Sequence, residues 1–443
     1  MTRHLHCTLE ALAAAALLAW AAPVAAKITL MHGYADYTSA LVWIQAEAAG
    51  PIEVTWTPAG GAERRATFDA AAGNDYVVVA RLTGLEPGSS TSYRVRGDGD
   101  ELSATIATQR YWEKSADAAP ITVAFGSCFF LAEADPIWGS QDYAGGFEIF
   151  DAIASKRPDA MLWLGDNLYF HTPDFYDPSK MSERYRRQRS FAPLSKLLTA
   201  TSHLAIWDDH DYGPNDADMS YTMKGETLAL FKRYWANPGY GLPEVNGVFG
   251  MARLGDVDIF LLDDRYYRSP NNAIDGPDKT MFGARQLEWL KAALLYSHAK
   301  IKLVANGSQM WNRTDRYEGF NHYETEQKGL YDWLVANRID GLIFLTGDRH
   351  FGELLRVARA GAPPIYEFTS SPLTSKPYGG PGPEEKVNPD LVGDTFFAER
   401  QFGLLTITGP ANDRLVAMEA YDASGKRLWR HEVRARDLAF AKK

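Results

Sequence analysis

AMLWLGDNLY, residues 160–169, carries the pattern on which the fold turns. Five apolar residues run straight into Gly165, Asp166 and a polar turn. A strand apolar at every position is buried on both faces, as inner strands of layered α/β proteins are. The same arrangement recurs along the chain. Ile121–Phe125 runs into Gly126-Ser127-Cys128, and Leu204–Trp207 into Asp208-Asp209-His210-Asp211. Val257–Leu262 leads to Asp263-Asp264-Arg265, Ile301–Ala305 to Asn306-Gly307-Ser308-Gln309, and Leu342–Thr346 to Gly347-Asp348-Arg349-His350. Helical periodicity lies between several of these runs, at Phe147–Ala154 and Ala284–Leu295. The alternation predicts an α/β core whose site forms beyond the carboxyl ends of the strands. After Gly361 strand-length runs return at Ile365–Phe368, Leu404–Ile407, Leu415–Met418 and Leu428–Arg430. A mixed pair of sheets with helices outside fits this better than one Rossmann sheet.

Upstream, residues 27–112 read as a separate all-β domain. Ala40–Gln45, Ile52–Trp56, Tyr76–Ala80 and Ser92–Arg96 are short β-branched and aromatic runs spaced by Gly, Pro and Asn turns. Leu85-Glu86-Pro87-Gly88 ahead of Tyr93 resembles the corner of a fibronectin-type-III-like module. This domain shows no titratable cluster and reads as a positioning unit. A polar link over residues 110–119 precedes the larger domain, 120–443. Residues 1–26 read as a cleaved signal peptide: Arg3, an apolar run Ala11–Ala22 too short to span a membrane, then Val24-Ala25-Ala26. The expected location is therefore periplasmic or secreted, by the general route because no twin-arginine pair is present.

The 443 residues are 46% hydrophobic and 23% charged, which excludes disorder as the general state. Lys plus Arg number 46 against 56 Asp plus Glu, a net charge of -10. With no Lys/Arg stripe, nucleic-acid binding is disfavoured. The run Arg184–Arg189 reads as a solvated helix face rather than an anion-attracting patch. Of two cysteines, cleavage removes Cys7, leaving Cys128 alone in a compartment that oxidises thiols.

Five of the six strand ends carry metal-ligand chemistry: Cys128, Asp166 with Tyr169, Asp208–Asp211, Gln309, and Asp348 with His350. On adjacent strands these side chains converge. Crowded carboxylates repel one another unless cations lie between them, which points to a polynuclear metal centre.

Taken together, Gly126-Ser127-Cys128, GDNLY at 165–169, WDDHD at 207–211, LEWL at 287–290 and GDRHF at 347–351 resemble the alkaline phosphatase D (PhoD-like) family. That family belongs to the calcineurin-like metallophosphoesterases. The resemblance covers residues 120 to about 440, and the preceding β-domain matches the family's layout. It implies an αββα fold, a two-sheet β-sandwich flanked by helices, behind a fibronectin-type-III-like domain. It also implies hydrolysis of phosphate monoesters or diesters at a centre of iron with calcium. Carried over, Cys128, Asp166, Tyr169 and His350 resemble the iron ligands, with Asp166 bridging. Asp208, Asp209 and Asp348 resemble calcium ligands, with Asn215 as an amide ligand from the same loop. Asp209 and His210 take the places of the Asn and His of the superfamily's GNH(D/E) motif. The implied chemistry is in-line attack by a metal-activated hydroxide, with His210 hydrogen-bonding the phosphoryl oxygen or protonating the leaving group. Arg265 either sits near a phosphate oxygen or pairs with Asp264, and Asp211 reads as an orienter of His210. The implied substrate is a small-molecule or lipid phosphate ester. Phospholipase-type action on lipid headgroups is one alternative. A calcium-stapled binding module is another, disfavoured because a purely structural site needs no acid such as His210. Segments 129–145, 171–190 and 311–323 are expected to cover the cleft.

Overall fold

The computed structural model describes residues 27–112, 118–131, 143–314, 316–379 and 382–441. The leader over 1–26 and most of the 129–145 segment lie outside the described residues.

The first seven strands are β1 (Ile28–Ala35), β2 (Ser39–Ala46), β3 (Gly50–Trp56), β4 (Arg64–Ala70), β5 (Val77–Thr83), β6 (Ser90–Gly97) and β7 (Asp100–Ala107). They form an antiparallel sandwich, with order β1-β2-β5 in one sheet and β4-β3-β6-β7 in the other. Val42, Ile44, Val54, Trp56, Leu82, Tyr93 and Val95 are buried in its core. The four apolar runs in the sequence are four of these strands. β4 and β7 escape such a reading because they are edge strands, with mostly exposed or half-buried residues and no sustained apolar run.

Twelve further strands build two six-stranded sheets. One contains β8 (Ile121–Gly126), β9 (Ala160–Leu164), β10 (Ser202–Ile206), β17 (Gln401–Thr408), β18 (Leu415–Asp422) and β19 (Arg427–Arg434), in the order β10-β9-β8-β17-β18-β19. The other contains β11 (Gly250–Leu254), β12 (Val257–Leu261), β13 (Ile301–Ala305), β14 (Leu342–Thr346), β15 (Glu353–Arg359) and β16 (Ala362–Thr369), in the order β11-β12-β13-β14-β16-β15. β8, β9 and β10 run parallel, and so do β12, β13, β14 and β16. All five residues of β9 are buried, as its sequence requires. The two sheets pack face to face, with Phe125 edge-on to Phe368 at 4.7 Å between ring centroids.

Seven helices are α1 (Ile149–Ser155), α2 (Pro178–Arg189), α3 (Ser195–Ala200), α4 (Asp209–Tyr212), α5 (Lys224–Tyr234), α6 (Ala284–Tyr296) and α7 (Glu324–Ala336). Leu290 and Leu294 of α6 and Leu330 and Leu334 of α7 pack with Phe260, Val304 and Phe344 on the outer face of the second sheet. Ile149, Phe150 and Leu198, from α1 and α3, cover the first sheet beside Trp163. The result is the expected αββα sandwich behind an all-β unit. The run over Arg184–Arg189 is only partly a solvated face. Arg189 is buried, lies 4.1 Å over the Trp235 ring and donates to the Tyr234 carbonyl at 3.0 Å. Arg184 pairs with Asp174 at 2.5 Å.

Candidate metal centre

Parallel strands send all their carboxyl ends one way, so the turns after β8, β9, β10, β12, β14 and β16 meet at one end of the sandwich. Two glycines allow the approach. A Cβ on Gly165 (φ 89°) would stand 2.5 Å from the Asp208 Cβ, and one on Gly347 would stand 2.4 Å from the Ser127 side chain. The Gly-Asp pairs of GDNLY and GDRHF therefore follow from packing as well as chemistry. Cys128, Asp166, Asp216, Asp348 and His350 all have left-handed backbones, φ 62°, 49°, 57°, 66° and 53°. Such conformations cost energy in non-glycine residues and concentrate where side chains must be aimed.

Cys128 Sγ lies 3.5 Å from Asp166 Oδ2 and accepts from the Ser371 hydroxyl at 3.1 Å. The Tyr169 hydroxyl is 3.1 Å from the same Asp166 oxygen and 3.3 Å from His350 Nε2. His350 Nδ1 is 2.8 Å from the Lys376 carbonyl, which makes Nδ1 the protonated nitrogen and leaves Nε2 facing the cluster. Four sets of ligand atoms lie within 4.8 Å of one another. They are Cys128, Asp166 and His350; Asp166, Asp209 and His210; Asp208, Glu318 and Asp348; and Asp209, Asp216 and Glu318. Asp166 belongs to two sets, the position of a bridging carboxylate.

Burial drives the charges of this cluster out of balance. Desolvation, with like-charged neighbours behind it, raises the Asp166 carboxyl well above its ordinary range. Burial likewise raises Asp208 against the pull of Arg265, and raises Asp348 beside Glu318 and Asp209. Desolvation would raise Asp209 too, but His210 and Arg265 outweigh it and hold it low. Burial lowers the His210 imidazole, opposed by Asp209. Asp208 Oδ2 and Asp209 Oδ1 are buried without a hydrogen-bond partner. Orphaned carboxylate oxygens of this kind are what cations satisfy, so the residues present fit a metal centre.

Arg265 is wholly buried and donates through Nε to Asp208 at 2.6 Å. Its fork meets Glu318 at 2.6 and 3.0 Å, while Asp264 stands 3.9 Å away. Asp264 instead accepts from Asn306 Nδ2 and the Ser308 N–H, at 3.0 and 2.8 Å. Asp211 accepts backbone N–H groups from Asp166, Asn167 and Asp208 at 3.2, 3.2 and 2.8 Å, tying the β9 and β10 turns together. Asn215 is exposed, one residue before Asp216, whose N–H donates to Asp209 at 2.8 Å. Gln309 points elsewhere, to Glu353 and Thr369, each at 2.8 Å. Glu318, Asp216 and Ser371 join the site without having been singled out in the sequence. The clue to Glu318 was a buried arginine that needs more than one carboxylate.

A family model described as PhoD-like phosphatase matches residues 134–401, more than half the chain. A second, described as a domain of unknown function, matches residues 30–112. Among solved structures, that of PhoD aligns with a TM-score of 0.74 at 18% identity, over 92% of this chain and 94% of its own. A purple acid phosphatase from yellow lupin (Lupinus luteus) seeds aligns with a TM-score of 0.63 at 13% identity, over 92% of this chain and 75% of its own. A search of curated proteins returned no match.

Proposed function

The chain belongs to the PhoD-like phosphatase family of phosphoric ester hydrolases, and on that premise we propose that it is an exported phosphoesterase acting on phosphate monoesters, diesters or both. The carrying observation is the convergence of Cys128, Asp166, Asp208, Asp209, Asp348 and His350 at one end of the sandwich, with two carboxylate oxygens left orphaned.

The thiol of Cys128, phenol of Tyr169, imidazole of His350 and one oxygen of Asp166 suit a ferric ion, for which thiolate and phenolate are strong donors. The oxygen-rich remainder, Asp208, Asp209 and Asp348 with Glu318, Asp216 and Asn215, suits calcium. Cations in these places would polarise the phosphoryl group and make a nucleophile available at neutral pH. His210, with its ring 4.3 Å from Tyr169, donates a ring N–H to a phosphoryl or leaving-group oxygen. Arg265 works at one remove, as a positioning residue that fixes Asp208 and Glu318 and offsets part of their charge. Asp211 holds the turns that aim Asp166 and Asp208.

We divide the chain into a leader, 1–26, a positioning β-unit, 27–112, and the catalytic unit, 120–443. Among the described residues no helix is long and apolar enough to cross a membrane. Elemental analysis of the purified protein, with assays on p-nitrophenyl phosphate and bis(p-nitrophenyl) phosphate, tests the reading. Iron and calcium should copurify, at least one ester should turn over, and chelation should abolish turnover. A metal-loaded protein that hydrolyses neither ester would overturn it. Terminal sequencing of protein collected outside the cytoplasm should begin at Lys27.

A further inference from the structure

The rim of the metal centre is aromatic. Tyr378 lies 5.7 Å from the His350 ring, centroid to centroid, and Tyr143 lies 6.1 Å from it on another side. Facing Tyr378 is Tyr317, with 6.4 Å between ring centroids and only 13° between ring planes. The two rings are 48% and 54% exposed, an unusual state for large apolar side chains set beside a buried catalytic cluster.

Neither ring is loosely attached to the centre. The Tyr378 N–H donates to the His350 carbonyl at 3.1 Å, and the Lys376 carbonyl holds His350 Nδ1, so the Tyr378 loop is tied to a ligand residue from both sides. Tyr317 follows Glu318 by one place in reverse, adjacent to the carboxylate that clasps Arg265. The guanidinium of Arg349, between Asp348 and His350 in the chain, lies 4.7 Å over the Tyr317 ring. Both tyrosines are thus referenced to the atoms that would surround a bound phosphate.

A planar group in van der Waals contact on both faces needs its neighbours about 7 Å apart, twice the ~3.5 Å contact distance. The observed spacing falls short by roughly half an ångström, which exposed tyrosine rotamers supply readily. An alkyl leaving group gains far less from two parallel rings than a flat one does. We propose that Tyr317 and Tyr378 form a stacking clamp that selects phosphate esters with a planar aromatic leaving group, whether a simple aryl ester or a nucleotide. This rests on the phosphoesterase reading above and deepens it.

The test compares kcat/KM for p-nitrophenyl phosphate, adenosine 5′-monophosphate and glycerol 2-phosphate in the metal-loaded wild-type protein and in Tyr317→Ala, Tyr378→Ala and the double variant. Stacking on an aromatic side chain is worth about 1–3 kcal/mol per ring, or roughly 5- to 150-fold. The aryl-to-glycerol ratio should therefore fall about tenfold in each single variant, through KM more than kcat. Tyr317→Phe and Tyr378→Phe should keep the wild-type ratio, because they retain the ring. A nucleotide whose base reaches the clamp shows the same fall; one whose ribose holds the base away does not, which separates the two sources. If the ratio is unmoved in the double variant, the clamp is wrong while the phosphoesterase reading stands. If the wild-type protein turns over none of the esters, that reading fails first.

Discussion

Cys128 is a thiol that only a cation would ionise. Burial pushes its pKa up to about 12, with the Ser127 and Ser371 hydroxyls opposing the shift and the Asp348 charge adding to it. Ligand thiolates form when a metal displaces the proton, so its identity as a ligand is testable without reference to turnover. Cys128→Ser should lose iron by elemental analysis and bleach a visible phenolate-to-iron absorption band, with activity falling 100-fold or more. A variant that kept its iron and colour would remove the thiolate from the centre. Asp211 makes the opposite kind of contribution. It touches no group in the ligand sets but accepts three backbone N–H groups and the Asn167 amide at 2.7 Å. Asp211→Asn replaces one acceptor oxygen with a donor, so metal affinity should weaken about 10- to 100-fold with metal identity unchanged. Titrating the metal-stripped protein measures this, and an unaltered affinity would make Asp211 a bystander. Legibility divides along the same physical line. Cys128, Asp166 and Asp348 could be found in the sequence because each ends a run of buried strand. Glu318 lies in an irregular stretch between β13 and α7, where no period marks burial, and only its partner Arg265 explains its place.

At the scale of elements, β15 and β16 hold buried carboxylates with no counter-cation against them. Glu353 and Glu367 both lie on these strands, wholly buried. Desolvation raises each pKa from 4.5 to about 7, against the Gln309 amide at Glu353 and the Met310 and Trp311 N–H groups at Glu367. Glu367 accepts those two N–H groups at 2.6 and 2.7 Å, which fixes the turn after β13 in the form that carries Gln309 and leads towards Glu318. These glutamates explain why Gln309, expected at the metal centre, is drawn away: it is spent on Glu353 and Thr369. The sign of the pH effect follows from linkage. A carboxyl whose folded pKa is raised binds its proton more tightly in the native state, so its stabilisation is complete below about pH 4.5 and is lost as pH rises through about 7. Glu367→Gln removes one such group. The melting temperature of the variant should fall less steeply than that of the wild type between pH 5 and 8, at constant cation concentration. Parallel melting curves across that range would show that Glu367 does not titrate there.

At the scale of the whole molecule, the β-unit is welded to the sandwich rather than tethered to it. Met31, Leu41, Trp43 and Val77 belong to the same continuous core as Trp163, Leu204 and Phe231 of the catalytic unit. Trp43 is wholly buried, donates to the Arg233 carbonyl at 2.8 Å, and shares the buried Arg189 guanidinium with Trp235, at 5.8 and 4.1 Å. Gly33 leaves no room for a side chain, since a Cβ there would stand 2.4 Å from that of Ala236. Asp75 pairs with Arg233 at 2.5 Å, and the Gln109 amide reaches the Arg253 carbonyl at 2.7 Å. The sequence shows the change of period between the two units, because that is local. It does not show the joint, because Trp43 and Val77 sit in strands whose alternation is the same whether the outer face meets solvent or another unit. Two bodies that share a core should unfold together. Calorimetry of the full chain is therefore expected to give one endotherm, and Trp43→Ala, which leaves a large cavity and an unpaired Arg233 carbonyl, should shift that whole endotherm down by the equivalent of about 3–5 kcal/mol. Two separate endotherms, with only the smaller one moved by the substitution, would mean that the β-unit is an independent appendage and that its packing against α5 contributes nothing to the fold of the catalytic unit.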